Sequence, residues 1–201
     1  MRTLMTALLF SCVASSAIAQ TFDLRAAAGV HAPQATLYRY TGVYAPPIGG
    51  DTDLSLSSGA LIRFSGLLWI SQRVGITLGV SRANLDIEDA TFPIPPGSPD
   101  LSGEVTLTHS DLQAAVALTR SSGVAVFLTA GPGIVSYDGN PRSQTSLKLN
   151  GGLGVEIPVL TRLRVVGDFA YATYRPGSEL ERQHDFMASG GVALRVGDWT
   201  Q

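Results

Sequence analysis

The chain has 201 residues, 45% of them hydrophobic and only 15% charged, with 22 Gly and 11 Pro. Soluble domains carry about 25% charged residues, so the chain is short of charge, and no stretch here reaches the ~18 consecutive apolar residues that mark a membrane helix, so a helical membrane protein does not fit. The formal net charge of −2, from 13 Arg, one Lys, 11 Asp and 5 Glu, excludes a nucleic-acid partner held by bulk basic charge.

Residues 1–19 read as a secretory signal peptide. Arg2 supplies the positive start, Leu4–Ala14 the short apolar stretch, and Ala17-Ile18-Ala19 the small-residue cleavage site. The exported chain then begins at Gln20 and forms one domain over 20–201. Cleavage also removes Cys12, the one cysteine, leaving no disulfide, thiolate metal site or Cys nucleophile. A lipoprotein anchor at Cys12 is the competing reading, but Phe10 stands two before it, where a small residue is needed.

Period-2 alternation then recurs in eight segments, near 22–34, 58–70, 74–86, 105–119, 123–137, 145–157, 163–174 and 183–196. The sixth is the clearest. Leu147, Leu149, Gly151, Leu153, Val155 and Ile157 share one face, against Lys148, Asn150, Gly152, Gly154 and Glu156 on the other. The connections alternate long and short. Long ones lie at 35–57, 87–104, 138–144 and 175–182, and tight ones at Ser71-Gln72-Arg73, Arg120-Ser121-Ser122 and 158–162. One elaborate rim and one plain rim are the layout of an up-and-down barrel, and outer-membrane barrels pair short periplasmic turns with longer external loops. The prediction is therefore an all-β, eight-stranded antiparallel up-and-down transmembrane barrel, both termini at the plain rim.

Alternation gives two faces but not which is inside. With the apolar face inward the chain is a soluble lipocalin-like carrier of a small apolar ligand; with it outward, a membrane barrel with a polar lumen. The polar face carries Asp23, Arg25, Arg63, Asp111, Lys148, Glu156, Arg164, Asp168, Asp185 and Arg195, five charges of each sign, together with Gln113 and Asn150. Between them sit Gly29, Gly75, Gly79, Gly131, Gly133, Gly152, Gly154 and Gly191. Gly weakens a strand, and a solvated exterior has no use for it. A crowded eight-stranded lumen does, and there balanced charges pair. The ten charges are thus expected to line a closed lumen as a salt-bridge network, with outer-membrane lipid outside. Trp69 and Tyr174 fall on the polar parity and are expected past the lipid band or after a bulge.

The stretches Leu149-Asn-Gly-Gly-Leu-Gly-Val-Glu-Ile-Pro158, Arg164-Val-Val-Gly-Asp-Phe-Ala-Tyr171 and Ser189-Gly-Gly-Val-Ala-Leu-Arg195 resemble the small eight-stranded outer-membrane proteins of the OmpA/OmpX type, within the broad family of outer-membrane β-barrel domain proteins. The resemblance covers the whole mature chain. It implies an outer-membrane location and assembly by the barrel-assembly machinery. The chain departs from the pattern at its end: such proteins finish on an aromatic residue that the machinery recognises, whereas here Trp199 stands two short of Gln201.

Candidate chemistry is sparse. His109-Ser110-Asp111 brings nucleophile, base and carboxylate types side by side, but neighbouring strand residues point to opposite faces, and triads are made by geometry rather than adjacency. Lipid A deacylases, also eight-stranded barrels, usually carry a His-x-Ser-Asn pattern that is absent here, so a barrel enzyme acting on lipid A is a third reading and no enzyme activity is expected. His31, His109 and His184 lie in three different segments. A metal site needs such residues to converge with a carboxylate, so each is read as a rim or lumen residue, with no metal or cofactor. In the first long connection, Tyr38, Tyr40 and Tyr44 are candidate contacts for a surface partner, Tyr38 and Tyr40 fitting the interfacial aromatic girdle better. Asp51 and Asp53 resemble a fragment of a Ca²⁺ loop without its Gly and Glu.

Overall fold

The computed structural model describes residues 21–40, 52–88, 103–120, 123–139, 143–175 and 182–197. The expected signal segment, Tyr44, Asp51 and Trp199 lie outside them. Ten strands follow in order: β1 Thr21–Pro33, β2 Thr36–Tyr40, β3 Thr52–Leu56, β4 Gly59–Trp69, β5 Val74–Glu88, β6 Glu104–Arg120, β7 Ala125–Asp138, β8 Gln144–Pro158, β9 Leu163–Tyr174 and β10 Gln183–Val196. Eight of them, β1 and β4 to β10, close into an antiparallel up-and-down barrel: each pairs with its neighbour, β1 pairs with both β4 and β10, and β5 with β6. Closure leaves no free edge in the wall. No helix appears among the described residues.

The eight alternating segments correspond to the eight wall strands. The connection at 35–57, read as plain loop, instead carries the hairpin β2–β3. Each arm is only five residues long, too short for alternation to show. Its second arm extends the wall at the loop end, Ser55 opposite Glu88 and Leu56 opposite Ile87.

Alternation fixes the faces, and the apolar face is the outer one. Leu24, Ile62, Phe64, Leu78, Leu112, Leu118, Leu149 and Phe169 are exposed on the outside, while Asp23, Arg25, His31, Asp111, Lys148 and Glu156 are buried within. The lipocalin-like arrangement, with polar groups outside an apolar cavity, is thereby overturned. A continuous apolar exterior is not stable against water. The outer row of β5 runs Val74, Ile76, Leu78, Val80 and then turns polar with Arg82, Asn84, Asp86 and Glu88. Thr108 and Thr106 face Arg82 and Asn84 on β6, so the apolar band stops at one height on both strands.

Glycine on the inner face lets a narrow barrel curve and fill. A Cβ on Gly191 would lie 2.0 Å from the Ala26 carbonyl oxygen, so only bare backbone lets β10 bend against β1 there. At Gly154 a Cβ would meet the Phe127 ring at 2.0 Å; the missing side chain is the space that Phe127 occupies. Gly154→Ala is expected to destabilise the folded barrel by about 1–3 kcal/mol through overpacking, read from the urea midpoint in lipid vesicles. Phe127→Leu in the same chain should restore part of the loss, and an unchanged midpoint in Gly154→Ala would contradict this packing.

Candidate functional site

Lumen-facing residues are every second residue of eight strands, so side chains far apart in sequence meet across a barrel barely wide enough for them. They divide into two polar layers, one near the rim of short turns and one toward the loops.

In the turn-side layer, Asp23 and Arg195 are direct cross-strand partners. Their pair is bidentate, Nε to Oδ1 and Nη2 to Oδ2, both 2.7 Å. This fork geometry is the strongest form of Arg–carboxylate contact. The Trp69 indole N–H also donates to Asp23 Oδ2, at 3.2 Å. Glu156, fully buried, is the hub. It pairs with Arg25, and its Oε2 lies 3.5 Å from Arg195 Nη2 and 3.8 Å from Arg164 Nη1. Asp168 stands 3.9 Å from Arg25 Nη1. Three guanidiniums meet three carboxylates, so the layer is neutral as a whole. Arg25 also lies over the Phe127 ring, 4.8 Å from its centroid, and Trp69 meets that ring edge-on at 6.0 Å. Leu67, Trp69, Ala115, Ala117 and Phe127 form the apolar floor.

In the loop-side layer, Lys148 Nζ contacts Asp111 Oδ1 at 2.7 Å and His109 Nδ1 at 3.0 Å. Asn150 donates to Asp111 and accepts from Gln113 Nε2 at 2.8 Å. His31 Nε2 and Asp185 Oδ2 are 3.0 Å apart. Above, Leu56, Leu85, Ile87, Val105, Leu107 and Tyr137 belong to an apolar cluster.

All ten charges named from the sequence are on the inner face, but two of them pair differently from a simple salt-bridge set. Asp185 sits with His31 rather than with a guanidinium, and Arg63 forms no ion pair among the described residues. His31 and His109 are lumen residues, and they converge although they lie in different segments. The His31 and His109 rings are 5.3 Å apart, centroid to centroid, because β1 and β6 lie on opposite walls of a narrow tube. His184 is elsewhere, stacked on Tyr171 at 6.0 Å beside Phe186, with Phe186 stacked on Phe169 at 5.8 Å.

Trp69 and Tyr174 are neither beyond the band nor displaced by a bulge. Both are buried in the lumen, at 0% and 4% exposure, and their polar-face parity was correct as it stood. The apolar residues Leu85, Val105 and Leu107 also face the lumen, on the parity of Ser81 and His109; their apolar character gives no signal for the inner face. Within His109-Ser110-Asp111 the outer residues point inward and Ser110 is exposed outside, so the three do not form a triad. Tyr38 and Tyr40 lie opposite Leu54 and Thr52 in the hairpin β2–β3.

The sequence matches the outer membrane protein beta-barrel domain family over residues 5–196. Among solved structures the fold is similar to OprG from Pseudomonas aeruginosa, at 12% identity and a TM-score of 0.62, covering 90% of this chain and 97% of that one. It is similar to Neisserial surface protein A at 16% identity and a TM-score of 0.55, covering 87% and 96%. It is also similar to the outer membrane protein AlkL, solved in DMPC lipid bilayers, at 15% identity and a TM-score of 0.57, covering 91% and 92%. No curated protein matches the sequence.

Proposed function

The chain belongs to the outer membrane protein beta-barrel domain family, and from that premise we propose that it is a non-enzymatic structural or surface-interaction protein of the outer membrane with a closed lumen. The observation that carries this reading is the filled interior: Arg25, Glu156, Asp23, Trp69 and Phe127 at one level and His31, His109, Asp111 and Lys148 at the other are all buried. A neutral, hydrogen-bonded plug of this kind suits a scaffold more than a conduit, and open aqueous channels belong to barrels of about 16 strands. Contact with a partner falls to the loop end, where the hairpin β2–β3 rises from the wall with Tyr38 and Tyr40, and Tyr44 follows in sequence. Export through cleavage after Ala19 and insertion by the barrel-assembly machinery complete the proposal.

Two measurements test it. In fractionated Gram-negative cells the protein is expected in the outer membrane, with a gel mobility that changes on boiling; recovery in the soluble periplasmic fraction would overturn the reading. In planar bilayers the purified chain is expected to show no stable open state, and a large steady conductance would refute the plug.

A further inference from the structure

We propose that the loop-side layer of the lumen holds a divalent transition-metal site formed by His31, His109 and Asp185, with zinc as the ion it fits. The three side chains come from β1, β6 and β10 and are all fully buried. Their ligand atoms lie within 4.8 Å of one another. Zinc bonds of about 2.0–2.2 Å to imidazole and carboxylate set tetrahedral ligand atoms roughly 3.3 Å apart. His31 Nε2 and Asp185 Oδ2 already stand at 3.0 Å, and His109 completes the group within the 4.8 Å spread.

A second observation points to a ligand. The third ligand atom, His109 Nε2, is fully buried and has no hydrogen-bond partner among the described residues. Buried polar atoms are normally satisfied, and this ring nitrogen lies in the same cluster as the His31–Asp185 pair. The donor set is selective. Two imidazoles and one carboxylate suit zinc, copper or nickel, whereas calcium and magnesium take oxygen ligands. Three protein ligands leave the fourth position for water.

The neighbours hold the His109 ring in position. Lys148 Nζ contacts both His109 Nδ1 and Asp111. Asp111 fixes Lys148 against the ring, in the place that outer-shell partners of metal-bound histidines take. Because β1 and β10 are adjacent and β6 lies across the tube, the ion would staple opposite walls together.

The test refolds the full chain into phospholipid vesicles with zinc present and then removes free metal. The expected result is one zinc per chain, a chelator-reversible rise in the unfolding midpoint, and an X-ray absorption spectrum with two imidazole ligands. His31→Ala and Asp185→Asn should each retain less than a tenth of the metal, while His184→Ala, whose ring is outside the cluster, should retain it all. Where a lumen variant does not fold, by its heat-dependent gel mobility, the wild-type spectrum decides alone. Substoichiometric zinc on the folded wild type, a spectrum with fewer than two imidazoles, or loss of metal in His184→Ala would overturn the proposal.

Discussion

Replacing Glu156 by Gln is expected to destabilise the barrel by about 3–5 kcal/mol, the usual loss when one partner of a buried ion pair is removed. Glu156 is fully buried and shared by Arg25, Arg195 and Arg164. A neutral amide of the same size keeps the packing and removes the charge. Three guanidiniums are then left with the two carboxylates of Asp23 and Asp168, and the layer acquires a buried net charge. Arg195 keeps its bidentate Asp23, so the excess falls on Arg25 and Arg164. Asp168→Asn is the internal comparison. Asp168 touches Arg25 only at 3.9 Å and its side chain retains 17% exposure, so water can offset part of the lost charge and its loss should be smaller than that of Glu156, which three guanidiniums share. Urea unfolding in vesicles, followed by gel mobility, reads both. Equal effects in the two variants would mean that Glu156 is not the hub of the layer.

The wall and its orientation were legible because barrels repeat a simple rule: every second residue of eight segments obeys one face, and errors in single residues average out. Gly154 and Gly191 marked the inner face before any pairing was known, since bare backbone has a use only where side chains crowd. Contacts across the lumen were not legible. His31 and His109 are 78 positions apart, and whether they meet depends on strand order and on the height of each residue in a sheared tube, neither of which alternation carries. The same holds for Asp185, whose partner turned out to be an imidazole. The hairpin β2–β3 is illegible for a different reason: its five-residue arms are too short for alternation to show.

Leu78→Arg is expected to cost about 2–4 kcal/mol, the penalty of a guanidinium near the midplane of a transmembrane barrel's lipid face. Leu78 stands 62% exposed within the outer row Val74, Ile76, Leu78, Val80, opposite Gly66 and Leu112 on the flanking strands. Nothing inside the protein changes when it is replaced: the lumen, the ion pairs and the ladder are untouched, so the measured loss reports the surroundings alone. On a water-facing surface the same substitution would fall within about 0.5 kcal/mol of zero. Arg82, two residues beyond Val80 on the same face, already tolerates a guanidinium because the band ends there. Arg82→Leu should therefore change stability by less than about 1 kcal/mol. The pair measures the height of the apolar band directly. Unfolding in vesicles that gives similar small effects at both positions would place the barrel wall in water, whatever its resemblance to membrane proteins.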